Sequence, residues 1–315
     1  MGQGAEMAKT AHLSHGPRPT SQALRGLTIG FIGAGTMARA LMGGLLAHGV
    51  PRARILAADP NPSARRQVQR RYGLTVNTDN RAVVRQAHVI VLAVKPQQCP
   101  ELLAQIGPQL ARWQLVISIA AGVTSRWLQS RLPGSAVIRV MPNLPATVGC
   151  AFSAITLGRH ATARHRTIVK ALFGAAGEVV ELPERLFNAV TAISGSGPAY
   201  VFFLVEAWEQ AARTLGLPQH VAAQAIRRTL EGSAKLLTEG DPSTPRQRSW
   251  RVARDSAPPV WAGLHEPAAR LIQKVASKGG TTEAALKVLA RRRVAVHFIE
   301  ALRAAARRSQ ELSWS

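Results

Sequence analysis

Leu27-Thr28-Ile29-Gly30-Phe31-Ile32-Gly33-Ala34-Gly35-Thr36-Met37-Ala38 is the stretch on which the fold turns. An apolar, β-favouring run enters a glycine-rich turn, and a helix-favouring segment rich in Ala, Leu and Met follows. Gly33 permits the tight turn, Gly35 lets a pyrophosphate approach the backbone, and Ala38 allows helix and strand to pack closely. The new helix points its free N–H groups and positive dipole end at that phosphate. Such a pattern is weak alone; set between strand and helix, it predicts a dinucleotide site. Thr36 and Met37, at the helix start, join Gly33 and Gly35 as candidate cofactor contacts.

Working outward, short apolar runs alternate with helical patterns as far as Leu182. Strands are expected at Leu27–Ile32, Ile55–Ala58, Val89–Val94, Leu115–Ile119, Ala136–Val140, Phe152–Thr156 and Glu178–Leu182. Helices are expected between them, for example at Met37–Ala47, Ser63–Arg71 and Pro100–Ile106. Unbroken runs such as Val89-Ile90-Val91-Leu92-Ala93-Val94 suit strands buried on both faces of a parallel sheet. Alternating β and α elements define a doubly wound α/β domain, placed at residues 26–183. Beyond Pro183 nearly every segment reads as helix, including Pro198–Leu215, Val221–Leu237 and Val294–Leu312. The first of these aligns Val201, Leu204, Val205, Trp208, Ala212 and Leu215 on one face. So much apolar surface predicts that the all-α region, 184–315, is a dimerisation domain.

The 315 residues carry a formal net charge of +23. A charge this positive raises nucleic-acid or membrane-surface binding. The arginines, however, are scattered along helices, and the few aromatics do not alternate with basic residues as on a stacking platform for single strands. A basic solvated surface is the preferred reading, with no specific nucleic acid and no membrane partner; the same field attracts phosphate and carboxylate ligands. No long uncharged apolar run is evident, so no membrane span is expected. Cys99 and Cys150 form no metal or C-x-x-C pattern, so a reduced cytoplasmic protein without metal is expected. Residues 1–25 lack the apolar core of a secretory signal and read as a disordered extension, with Met7 an alternative start.

Polar residues collect at the expected strand ends, where ligands bind in open α/β sheets. Asp59 ends the second strand, where an acid takes the adenine ribose hydroxyls and favours NAD. Arg65 and Arg66 follow on the next helix and can reach the 2′-phosphate of NADP, so both cofactors stay open. Ala93, Lys95 and Pro96 end a buried strand, and Asn143 is pinned between Pro142 and Pro145. Two glycine-rich helix starts complete the set: Ser194-Gly195-Ser196-Gly197-Pro198 and Ser277-Lys278-Gly279-Gly280-Thr281-Thr282-Glu283. Glycines there permit close backbone approach, and free N–H groups bind a carboxylate.

In order, Gly33–Ala38, Ala93-Val94-Lys95-Pro96-Gln97, Arg139–Ala146, Ser194–Tyr200 and Ser277–Leu286 resemble the pyrroline-5-carboxylate reductases. The resemblance runs from about Leu27 to Leu312, and its last motif is the most specific. It implies an N-terminal Rossmann domain and an intertwined helical dimer, with rings of dimers in some members. The implied reaction is hydride transfer from NAD(P)H to C5 of a cyclic imine, the last step of proline synthesis. Asn80 and Lys95 would then lie along the cofactor. Ser277, Gly279, Gly280, Thr281 and Thr282 would hold the substrate carboxylate, and Thr282 would donate a hydrogen bond or proton to the ring nitrogen.

The chain departs from the family at Lys278, where proline is usual in many members, and at Ala290–Arg293, which is short and basic. Residues from about Asp241 to His265 read as an insertion, expected as an exposed loop. The alternatives are a reductase of another cyclic imine or small carboxylate, and a nucleotide-binding relative without activity.

Overall fold

A computed structural model describes residues 20–239 and 268–314. They fall into two compact units, one running to Pro198 and resuming at Ala304, the other Ala199–Arg303. The 241–265 insertion and residues 1–19 lie outside the described residues.

The first unit is built on an eight-stranded sheet: β1 Ile29–Ile32, β2 Ile55–Ala58, β3 Val76–Asn77, β4 Val89–Leu92, β5 Leu115–Ser118, β6 Ala136–Met141, β7 Ala151–Leu157 and β8 Gly177–Glu181. Their order is β3-β2-β1-β4-β5-β6-β7-β8. β1 pairs in parallel with β2 on one side and β4 on the other. Connections therefore leave β1 in opposite directions, which opens a crevice at its carboxyl end.

Both faces of the sheet are covered. Ile29 and Phe31 of β1, with Val89 and Val91 of β4, pack under the helices Thr36–Ala47, Pro62–Tyr72 and Ala163–Gly174. Ile32, Ile90 and Leu92 pack under Asn80–Gln86, Cys99–Ile106 and Ser125–Arg131. Residues of β1, β4 and β5 are buried throughout, so these strands read as unbroken apolar runs instead of alternating ones.

The structure corrects two expectations. The sheet is not wholly parallel: β7 runs antiparallel to β6, with Ile138 opposite Leu157 and Met141 opposite Ala154. The link between them holds one short turn, Leu144–Val148, and a parallel crossover needs a dozen residues or more. β8 returns to parallel pairing with β7 after the helix Ala163–Gly174. At the start of the described chain, Thr20–Ala23 is helical and Leu24 is buried in the core. Folded structure is thus present before residue 26, where Leu24 adds an apolar side chain to the layer that holds Val50 and Leu45. Among the described residues, Glu184–Thr214 is a helical stretch of 31 residues, long and apolar enough by composition to cross a membrane, a test that core helices of soluble proteins also pass.

One buried charge ties that stretch to the sheet. Arg139 of β6 is 3% exposed and donates to Glu184 Oε1 at 2.8 Å. Its guanidinium lies over the Phe187 ring, 4.7 Å from the centroid. Glu184 Oε1 also accepts from the Ser125 N–H at 2.8 Å, and Oε2 from the Ser125 hydroxyl. Burial alone would raise the Glu184 pKa; the Ser125 and Arg139 hydrogen bonds and the arginine charge outweigh it and hold the carboxyl below its ordinary 4.5. A depressed carboxylate pKa contributes stability above the unfolded value that is lost as pH falls through the folded one. Urea midpoints of the native chain should therefore fall as pH drops below 4.5. Glu184→Gln should cost about 1–3 kcal/mol at neutral pH and flatten that acid limb; an unchanged slope would remove Glu184 from the account.

The second unit is helical, with Gly197–Thr214 entering it, Gln219–Glu239, Ala268–Val275 and Thr281–Arg291 within it, and Val294–Glu311 leaving it. Tyr200 and Phe298 meet edge to face at 5.8 Å. Of the predicted apolar stripe, Ala212 is buried, whereas Val201, Leu204, Trp208 and Leu215 are exposed on the single chain. Phe203 alongside them is 73% exposed.

Candidate active site

The glycine turn sits at the carboxyl end of β1. Gly33 has φ +99°, in the region that favours glycine, and its N–H donates to Ala58 O at 2.8 Å. A Cβ on it would lie 2.6 Å from Ala93 O, so the turns after β1 and β4 touch backbone to backbone. Gly35 precedes the helix Thr36–Ala47, whose start has no side-chain cap. A Cβ on Gly35 would meet nothing within 4 Å. The leading N–H groups of Thr36 and Met37 thus border open space at a positive helix end, which suits a pyrophosphate. Ala38 is fully buried and seats the helix on the sheet.

Asp59 directly follows β2, with both carboxylate oxygens engaged. Oδ2 accepts from the Ala34 N–H at 2.7 Å, and Oδ1 from the Asn61 N–H at 2.8 Å. The acid therefore locks the glycine turn to β2. Arg65 Nη1 donates to Pro60 O at 2.7 Å and to Asp59 O at 3.1 Å, while Arg66 is exposed. Sequence reasoning missed Arg39, which donates to Ala34 O at 2.8 Å and to Thr36 Oγ1 at 3.2 Å. The i, i+3 spacing of Thr36 and Arg39 on the first turns of one helix was the available signal.

The other first-unit candidates divide into exposed and committed side chains. Ala93 is half-buried, and its N–H donates to Ile32 O at 2.8 Å. Lys95 is exposed beside it, its N–H held by Gln98 Oε1 at 3.1 Å as Pro96 opens a short turn. Asn80, at the start of its helix, donates to Gln105 Oε1 at 2.9 Å. Asn143 is a tie: its Nδ2 donates to Ser194 Oγ at 2.9 Å and its Oδ1 accepts from the Phe152 N–H at 3.0 Å.

Ser194–Pro198 is not the helix start with free N–H groups that was expected. Phe187–Val190 continues through a widened helical turn, Thr191–Gly195, into Gly197–Thr214. The Ser196 N–H is spent on Thr191 O at 2.8 Å. Gly195 is small for packing: a Cβ there would lie 2.8 Å from the Met141 methyl at the end of β6. A glycine that lets a helix approach a strand and one that opens a loop look alike in sequence.

Ser277–Glu283 lies in the second unit and does start a helix. Gly279 adopts φ +73°, and the Gly280 N–H closes a turn on Ser277 O at 3.0 Å. A Cβ on Gly280 would fall 2.3 Å from Ser277 Oγ, so the hydroxyl is tucked against the residue that caps Thr281–Arg291. That helix has no side-chain cap. The Gly279 N–H donates to the Glu283 carboxylate, which also pairs with Lys287 at 2.7 Å. Hydrogen bonds from Lys287 and Gly279 hold Glu283 below its ordinary pKa. Thr281 is exposed and Thr282 half-buried at the helix start. Glu283 was read only as part of the motif; its role in shaping the turn emerges from the fold.

The sheet and a glycine turn of this geometry at its switch point define a dinucleotide-binding protein of Rossmann type. Residues 184–312 match the family described as pyrroline-5-carboxylate reductase dimerisation, and residues 28–122 that described as NADP oxidoreductase coenzyme F420-dependent. The pyrroline-5-carboxylate reductase of Synechocystis sp. is 37% identical over 287 residues, covering 91% of this chain and 98% of the relative. That of Mycobacterium leprae is 37% identical over 290 residues, covering 90% and 96%. The solved reductase structure from Coxiella burnetii aligns with TM-score 0.77 and 32% identity, over 92% of this chain and 99% of the other. The chain belongs to the pyrroline-5-carboxylate reductase family.

Proposed function

We propose that the chain reduces the C=N bond of L-1-pyrroline-5-carboxylate to give L-proline. The observation that carries this reading is the uncapped helix start at Gly280–Thr282 with the Ser277 hydroxyl folded against it. Backbone N–H groups of Thr281 and Thr282, with Gly279 and Gly280 shaping the turn and Ser277 beside it, suit a small carboxylate. Thr282 orients the ring nitrogen through its hydroxyl; threonine is a poor acid, so the nitrogen is already protonated or takes its proton through water. When bound, the reduced nicotinamide supplies the hydride that C5 receives. Holding both reactants at fixed distance is the main contribution of the protein.

Gly33, Gly35, Thr36 and Met37 are the residues proposed to hold the pyrophosphate. Ala93, Lys95 and Pro96 border the path toward the nicotinamide, with Asn80 farther along and Asn143 holding the end of β6. Asp59 acts on the cofactor mainly by locking the turn, since both its oxygens accept backbone N–H groups. A 2′-phosphate then meets Arg65, and NADP and NAD both fit. Arg65→Ala should raise KM for NADPH roughly tenfold, the loss of one charge-assisted hydrogen bond, and leave KM for NADH unchanged. Equal effects on both would place Arg65 in the fold alone.

The apolar side chains exposed on Gly197–Thr214, within the matched dimerisation region, support a homodimer, on which a ring of dimers could build. The same contact accounts for a stretch apolar enough to span a bilayer in a cytoplasmic protein. A monomeric mass in light scattering would overturn this.

Following NADPH and NADH absorbance with L-1-pyrroline-5-carboxylate tests the reaction directly. Turnover supports it; cofactor binding without oxidation sinks it.

A further inference from the structure

The segment after the last helix returns to the first unit and docks on the loop that follows β5. The Trp314 N–H donates to Gly122 O at 2.8 Å, and the Thr124 hydroxyl donates to Trp314 O at 2.6 Å. Val123 and Trp314 thereby form a parallel bridge. The Trp314 ring stands edge-on to Trp127 at 4.8 Å. Gly122 has φ +79°, and a Cβ on it would lie 2.4 Å from Leu312 O, so the two backbones run in direct contact. Ser309 and Ser313 add hydroxyl bonds to Asn188 Oδ1 at 2.9 and 3.2 Å. Thr124 also accepts from the Trp127 N–H at 3.2 Å, so one hydroxyl serves both the strap and the start of Ser125–Arg131.

The place of this strap matters. β5 neighbours β4, which neighbours β1, and all three run parallel. Their carboxyl ends share one edge of the sheet, and the half beyond β1 on the β4–β5 side is where a dinucleotide's second nucleotide lies. Loop 119–124 is thus a wall of the nicotinamide half. Its first N–H, on Ile119, is held by Leu92 O at 3.2 Å, and its far end by Trp314.

We propose that Trp314 is a positioning residue for the nicotinamide half of the cofactor site, acting through loop 119–124. This rests on the cofactor reading given above. The strap fixes the loop before the cofactor arrives, so the ordering cost is not taken from binding.

The test uses the full chain carrying Trp314→Ala, Trp314→Phe or Thr124→Val. Melting temperatures are recorded, with calorimetric affinities for NADPH and for 2′-phospho-ADP-ribose, which lacks the nicotinamide. The expected result for Trp314→Ala is roughly tenfold weaker NADPH binding, with fragment binding unchanged. Trp314→Phe keeps the edge contact and should restore most of the NADPH affinity. If Trp314→Ala does not fold, Thr124→Val, which keeps the Trp314 ring and removes the hydroxyl bonded to Trp314 O and to the Trp127 N–H, should show the same selective loss. Equal weakening of NADPH and fragment, or no weakening of either, overturns the proposal. A native chain that binds neither compound would instead overturn the cofactor-site reading beneath it.

Discussion

Thr282→Ala should lower kcat by about 10²-fold, with the cofactor KM little changed. The threonine stands on the second residue of the helix Thr281–Arg291, half-buried, where its hydroxyl is the side-chain donor proposed for the ring nitrogen. Alanine is an excellent helix former, so the helix itself is not weakened. The dinucleotide turn belongs to the other compact unit, which is why cofactor binding should survive. Thr282→Ser keeps a hydroxyl and should recover part of the rate. Steady-state kinetics read the outcome, and a Thr282→Ala chain with native kcat would remove this residue from the chemistry.

The second large effect is expected at Gly33, and Gly35 supplies the contrast. In Gly33→Ala the new methyl would lie 2.6 Å from the Ala93 carbonyl on a backbone at φ +99°. Neither the contact nor the torsion is tolerable, and left-handed backbone alone costs roughly 1–2 kcal/mol. The turn must open, and the Ala34–Asp59 bond that locks it goes with it. Cofactor affinity should fall by more than about 100-fold, roughly 2.7 kcal/mol, and the melting temperature should drop. At Gly35, φ is −67° and a Cβ meets nothing. Gly35→Ala should therefore melt as the native chain does and still lose cofactor affinity, because the methyl occupies the approach of the pyrophosphate. If Gly35→Ala binds NADPH normally, the phosphate does not sit where the turn suggests.

The backbone form of the candidate site was legible where its residues report on local geometry. Gly33, Gly35 and Ala38 lie within a few positions of one another, and a strand-turn-helix junction is decided by neighbours in sequence. The same holds for Gly279, Gly280 and the helix that starts at Thr281. Ser194–Pro198 was misread because a glycine needed for close packing on Met141 carries the same letter as one needed for a loop. Asn143 and Asp59 were recognised as polar groups at strand ends, but their hydrogen bonds to Ser194, Phe152, Ala34 and Asn61 depend on which strands lie side by side. The pairing of Arg139 with Glu184 gave no signal, since each is an ordinary charged residue until burial brings them together.

Unbroken apolar runs, glycine spacing and the change from β–α alternation to continuous helix were enough to set the doubly wound domain, its dinucleotide turn and the helical region after it. Those features are short-range: period, turn geometry and backbone permissiveness. Only the tertiary structure decided the reversal at β7, the seating of Leu24, the Arg139–Glu184–Ser125 tie and the return of Trp314 to the β5 loop. Each of these is a contact between residues far apart in the chain, and its formation depends on burial and on neighbours that no local window contains.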